Sequence, residues 1–418
     1  MKILAYTSPA RGHLFPLVPT LDQLAGRGHA VALLTLSAEV ERMRDRGFDA
    51  SPIAQAIEAV EHDDYRGRTP ASAMKRAMAT FLARSREEVA DLRAAIARHE
   101  PDALLVDCMT WGATAVAEAW GGPWAQWFPY PLPLPSPDVP PFGPGLRPAA
   151  GPLGRLRDAL LRPAISGAFA RATLPQVNAT RRLVGVPPFR TASELFTTPP
   201  LLLYMTAEPF EYPRSDWPAN IRMVGPGVWD PPSDPPPWLD ELRKPLVMVS
   251  TSSEYQDDGR LVRATLDALA DEDLSVVATL PSADLRGSVP ANARVERFVP
   301  HGPIIARAAC VVTHGGAGAT QKALAAAVPV CVVPFGRDQL EVARRVEVSG
   351  AGTYLPLRHL RPDRLRSAIH AAMTTKREGA RRVAEGYAAS GGASAAADAV
   401  EGLVAGWAGG PPLTGPAA

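Results

Sequence analysis

The stretch FVPHGPIIARAACVVTHGGAGATQKALAAAVPVCVVPFGRDQ, from Phe298 to Gln339, decides how this chain is read. Its run CVVTH is short, apolar and β-branched, and it stops at His314, where Gly315, Gly316 and Gly318 open a helix expected to continue through Ala327. Glycine lets backbone approach a ligand closely, and the first amides of a helix have no internal partner, so they point at whatever negative group sits there. A diphosphate suits such a turn. Thr320 in the first helical turn adds a hydroxyl, and His314 adds an imidazole. The string G-x-G-x-x-Q lacks the third glycine of a dinucleotide fingerprint, and no G-x-x-x-x-G-K-[ST] occurs, so neither NAD nor a P-loop nucleotide is supported. Asp338 and Gln339 follow the next strand and begin a helix; they can grip sugar hydroxyls as a pair, or Asp338 can cap that helix.

Outward from this block the pattern repeats. PLVMVS (245–250), a helix near 259–270 and LSVVATL (274–280) precede it, which makes the second half a doubly wound α/β unit. The first half opens with KILAY (2–6), a helical stripe of Leu17, Leu21 and Leu24, and a return to strand in GRGHAVALLTL; an arginine-rich helix at 84–98, ALLVD (103–107) and a helix from Trp111 to Trp120 continue the alternation. Two proline-laden segments interrupt it, PYPLPLPSPDVPPFGPGLRP after Phe128 and WDPPSDPPPW from Trp229 to Trp238. Proline has no amide donor, so the first is a long loop and the second a linker. At 418 residues the chain exceeds what one core supports, and the expected division is 1–228, a linker at 229–238, 239–408, and a disordered tail at 409–418.

Lysine plus arginine (44) nearly cancels aspartate plus glutamate (43), so no broad field draws the chain to nucleic acid or anionic membrane. No apolar run approaches the ~18 residues of a membrane span, the start is too short for a signal peptide, and Cys108, Cys310 and Cys331 read as reduced core residues; the expectation is a cytoplasmic protein. His29, His62, His99, His359 and His370 have no partner at ligand spacing, and the D-x-D triplet at Asp271 to Asp273 looks like a solvated turn, so no metal is implied. No G-x-S-x-G is present, which argues against a serine hydrolase.

His13 lies in the loop between the first strand and its helix, expected to start near Pro16, at the sheet edge where α/β folds bind ligands. Asp107 ends another strand at that edge. The two can converge as a base dyad, the carboxylate orienting the imidazole; a surface histidine and a helix-capping aspartate are the competing readings. Trp111, Trp127, Phe128 and Tyr130, with Phe142 in the proline loop, can wall an apolar acceptor pocket or can be core.

On these motifs the chain resembles the inverting, nucleotide-sugar-dependent glycosyltransferases of family 1, and in particular the actinobacterial natural-product members. The resemblance covers nearly the whole chain and rests on SPARGHLFPLVPTLDQLAGRGHAV and on Phe298 to Gln339. It implies the GT-B fold, two facing Rossmann-like domains with a cleft between them, and no cofactor or metal. It implies His13 as general base with Asp107 as its partner, His314 and Thr320 with the amides of Gly316 and Gly318 on the diphosphate, and Asp338 with Gln339 on the sugar. Phe298 and Val299 fall at the nucleobase, and Ser253 at a phosphate, although its loop STSSE lacks the usual glycine. Where many members carry a ribose-binding glutamate this chain has Lys322, which favours a dTDP-sugar over UDP-glucose because thymidine has no 2'-hydroxyl to satisfy. The implied partners are a nucleotide-sugar donor and a hydrophobic aglycone, with room for a homodimer. A nucleotide-sugar epimerase or NAD-type oxidoreductase, and a non-catalytic partner protein, are the alternative readings.

Overall fold

The computed structural model describes residues 1–407 except Arg68, Ala150, Arg243, Glu254, Ala283 and Arg286, and leaves the side chains of Pro70 and Ala71 aside. The tail expected to be disordered lies outside the described residues. Two fully parallel sheets form two α/β domains. The first has seven strands in the order β3-β2-β1-β4-β5-β6-β7: β1 Lys2–Tyr6, β2 Ala30–Thr35, β3 Asp49–Pro52, β4 Ala103–Asp107, β5 Trp124–Phe128, β6 Leu201–Tyr204 and β7 Ile221–Met223. The second has six in the order β10-β9-β8-β11-β12-β13: β8 Leu246–Ser250, β9 Ser275–Thr279, β10 Ala293–Glu296, β11 Ala308–Thr313, β12 Val330–Val332 and β13 Gly352–Tyr354.

Central strands such as β4, β5 and β8 are buried at every residue, because helices cover both faces of a parallel sheet. The apolar runs of the sequence are therefore continuous rather than alternating. In each sheet the strand order reverses once, between β1 and β4 and between β8 and β11. Crevices at the carboxyl ends of strands open at such reversals. Register places Tyr6 beside Val106 and Thr313 beside Ser250, so the segments leaving β1 and β4, and those leaving β8 and β11, share one edge in each sheet.

Three departures from the sequence reading concern the helices. The first helix spans Arg11–Gly26, starting five residues earlier than Pro16, so His13 sits in its first turn and not in a loop. A helix Pro152–Val184 of 33 residues follows the proline loop; its internal Pro163 and Pro175 and weak periodicity hide it in the sequence. The last helix, Gly392–Ala405, was assigned by position to the second unit. It packs instead into the first domain's core, where Ala396, Ala397 and Val400 join Leu17, Leu21 and Leu203. Arg27 fixes it there with bonds of 2.7 Å to both Asp398 and Glu401.

Candidate active site

Position 13 is built from below. Trp127 on β5 is wholly buried and donates from its indole nitrogen to the carbonyl of His13 at 3.3 Å. It belongs to the core and does not line the cavity, so its expected place in an acceptor wall is corrected: it supports the backbone of His13. Alternation along the strand explains why its neighbour Phe128 does reach the cavity.

The His13 Nδ1 lies 2.8 Å from Oδ1 of Asp107. The other carboxylate oxygen accepts the Ser8 amide at 2.9 Å and the Ser8 hydroxyl at 2.7 Å, and Oδ1 also takes the Met109 amide at 3.0 Å. Asp107 makes no cap on the following helix, whose N-cap is Thr110. Burial alone would raise its carboxyl, yet the adjacent imidazole and these donors hold it below the usual carboxylate range. Tyr130 packs edge-on against the imidazole, ring centres 5.7 Å apart.

The opposing wall comes from the second domain. The helix Ala317–Ala325 begins with Gly316 as N-cap. Gly315 holds φ at +94°, where a side chain would be strained and would meet Val332. A Cβ on Gly316 would come within 2.5 Å of His314 Nε2, whereas one on Gly318 would meet nothing within 4 Å. Burial lowers the His314 imidazole below its ordinary value, Asp258 beside it only partly compensating, which favours the neutral ring.

Both walls belong to one cavity of about 1970 Å³. Of the residues singled out from sequence, it is lined by His13, Ser253, Phe298, Val299, His314, Gly316, Gly318, Asp338, Gln339, Trp111, Phe128, Tyr130 and Phe142. Asp107 lies behind His13. Thr320 departs from expectation: it is fully buried, does not line the cavity, and its hydroxyl has no partner among the described residues.

Asp338 and Gln339 separate in role. Gln339 Oε1 accepts the amides of Phe335 and Gly336 at 2.7 and 3.0 Å, and its Nε2 donates to Gln256 at 2.8 Å, so its amide holds the turn together. Asp338 is an N-cap by position but its side chain makes no capping bond. Desolvation pushes its carboxyl up to about 6, with the positive charges of Arg337 and His13 pulling the other way. The two walls touch where Gln321, on the helix Ala317–Ala325, donates to the Pro129 carbonyl at 3.3 Å.

Several cleft contacts escaped the sequence reading, those of Lys322 and His62 among them. Arg337, at φ +53°, forms a two-pronged pair with Asp64 at 2.8 Å for both bonds, and reaches His62 at 3.3 Å. His62, set aside as structural, lines the cavity and stacks on Phe81. Lys322 Nζ donates to the Trp229 carbonyl at 2.9 Å and to Asp230 at 2.5 Å, and Asp230 also accepts the Gly302 amide at 2.9 Å. Next to them, burial and the Lys322 charge push the His301 imidazole down to about 4. All depend on contacts over tens to hundreds of residues, which no local spacing announces.

A family model described as "Erythromycin biosynthesis protein CIII-like, C-terminal domain" matches residues 263–403. The 4'-demethylrebeccamycin synthase of Lentzea aerocolonigenes is 35% identical over 422 residues, covering 96% of this chain and 99% of that protein. The chain belongs to the actinobacterial natural-product glycosyltransferases of GT-B type. Solved structures share the glycosyltransferase's fold. That of the glycotransferase of kitacinnamycin superposes with a TM-score of 0.72 at 23% identity, over 96% of this chain and 98% of that one. The glycosyltransferase VinC, solved in complex with dTDP, gives 0.67 at 22% identity, over 97% and 100%. As a glycosyltransferase the protein is an enzyme, and the epimerase, oxidoreductase and non-catalytic readings fall away.

Proposed function

We propose that this glycosyltransferase inverts the anomeric centre, moving a sugar from a dTDP donor to a hydroxyl of an apolar natural-product aglycone, with His13 as general base. The observation that carries the reading is that His13, backed by Asp107, and the start of the helix Ala317–Ala325 line one cavity from different domains. Inversion needs the attacking oxygen and the leaving diphosphate on opposite faces of the anomeric carbon, and a two-walled cleft supplies that arrangement.

In this reading the imidazole gives its Nδ1–H to Asp107, and Nε2 takes the acceptor proton as the acceptor oxygen bonds to the anomeric carbon. The bond from that carbon to the diphosphate oxygen breaks on the far side. The first amides of the helix, with His314, stabilise the charge on the departing nucleotide. Asp338 accepts from a sugar hydroxyl. Nδ1 of His314 faces the Ser250 carbonyl at 3.5 Å, so in the neutral ring that nitrogen carries the proton and Nε2 is an acceptor; in this reading His314 donates to the diphosphate once the incoming negative charge draws a second proton onto the ring.

Phe298 is 61% exposed on the cavity wall, and in this reading its ring stacks on the base. The tie between Lys322 and Asp230 leaves no carboxylate from position 322 to satisfy a ribose 2'-hydroxyl, and the dTDP of the VinC structure supports the same donor class. Met74, Met78, Phe81, Trp111 and Phe169 give the acceptor side an apolar lining that suits a large aglycone. Thermal unfolding in the presence of dTDP, UDP or GDP tests the donor, since a ligand raises apparent stability by mass action. The expected order puts dTDP first; a larger shift with UDP contradicts it.

A further inference from the structure

We propose that the outer face of the helix Pro152–Val184 docks on an anionic lipid surface. Leu153, Leu156 and Leu160 are 82%, 56% and 70% exposed, and their spacing of three and four residues sets them along one face of the helix. Ala164 continues the stripe, Arg171 stands at its far end, and Arg157 runs along its flank; all three are accessible. A single exposed leucine is ordinary on a folded protein, whereas a run of them on one helical face marks a contact surface.

Charge selects the occupant. Of the helix's six arginines, Arg181 is buried against Glu118, Arg162 lines the cavity and Arg157 pairs with the buried Asp158, the helix's one acid, which leaves Arg155, Arg171 and Arg182 exposed and unmatched by any acid of the helix. Two copies meeting through this face would bring arginines against arginines. A bilayer of anionic lipid offers a negative surface and an apolar layer beneath it in one plane, which is what leucines flanked by arginines fit. The whole chain, at +1, has no such attraction, so the effect is local to this helix. No helix among the described residues is long and apolar enough to cross a membrane, and docking here is parallel to the surface.

The same helix turns Ile165, Phe169, Thr173 and Val177 toward the cavity. Docking would set the apolar acceptor chamber beside the lipid layer, where a poorly soluble acceptor concentrates. Only that consequence rests on the proposed acceptor class; the docking itself is measured without catalysis.

The test is co-sedimentation of the full chain with vesicles of phosphatidylglycerol or of phosphatidylcholine. Binding to phosphatidylglycerol alone is expected, weakened by salt, and reduced about tenfold or more by Leu153→Ser with Leu160→Ser and by Arg171→Glu with Arg182→Glu. The variants should keep the wild-type melting temperature and dTDP shift. Equal partition with both lipids, no binding to either, or full binding by both double variants overturns the proposal. So does a wild-type dimer in light scattering that the leucine variant converts to monomer, which would make this face a self-association surface.

Discussion

Asp107 meets His13 at 2.8 Å from its position at the end of β4, the strand next to β1, whose exit leads into the first turn that carries the histidine. The pair is therefore a product of strand order: residues 94 positions apart become neighbours because the chain, after adding β2 and β3 on one side of β1, returns to lay β4 parallel on its other side. Four hydrogen bonds hold the carboxylate in place.

Alanine at the two helix-opening glycines should separate fold from binding. In Gly318→Ala the new methyl meets nothing within 4 Å, so the melting temperature should hold while the dTDP-induced shift falls because the methyl occupies the anion site. Gly316→Ala forces its methyl to within 2.5 Å of His314 and should lower both. Differential scanning fluorimetry with and without dTDP reads both quantities, and an unchanged dTDP shift in both variants contradicts the assignment.

Asp338 should give a pH step that belongs to the sugar and not to the nucleotide. With its carboxyl at about 6, it is neutral below that pH and a carboxylate, the stronger acceptor, above it. The KM for the nucleotide-sugar should fall as pH rises through about 6, while the Kd for dTDP stays level. Asp338→Asn should flatten the step. A step of equal size in the variant means another group titrates.

Glu88 offers a stability test away from chemistry. It is fully buried, takes the Gly112 amide at 2.8 Å, and its Oε1 has no partner among the described residues. Burial pushes its carboxyl from 4.5 to about 8. Between those values the folded chain holds a proton that the unfolded chain has lost, so stability falls as pH rises across that range. Glu88→Gln should remove this slope, leaving the variant more stable by on the order of a few kcal/mol near pH 9 and close to wild type near pH 5. Parallel melting curves for the two proteins across that range would contradict this.

Arg345 should be among the costliest positions to change. It is fully buried on the helix Gln339–Val348, bonds to Glu211 at 2.8 and 3.1 Å and to Glu341 at 3.0 Å, and lies over the Tyr212 ring. Glu341 in turn accepts the amides of Gly143 and Gly145 from the proline loop at 2.7 and 2.9 Å. Arg345→Met leaves two carboxylates buried without their cation and should destabilise by about 3–5 kcal/mol, read by urea unfolding. A loss below about 1 kcal/mol would show that the network is dispensable.

The alternation of apolar strands, the helix Trp111–Trp120 and the glycine turn at 315–318 were legible because each has a local signature in spacing or conformation. His13 and Asp107 were legible as a pair because both lie at strand exits. Trp127 and Phe128 were not separable: adjacent strand residues face opposite ways, and only the assembled sheet says which side is cavity. Thr320 was misplaced for a similar reason, since helical rotation turns its hydroxyl inward. The clasp from Asp64 to Arg337 and the return of the helix Gly392–Ala405 to the first domain join segments remote in sequence, and neither end carries a recognisable pattern.

The most direct measurement is His13→Ala, assayed for sugar transfer to an alcohol acceptor and, separately, for dTDP binding. The account predicts turnover reduced about 100-fold or more with the dTDP-induced thermal shift retained. Undiminished turnover in this variant would contradict it.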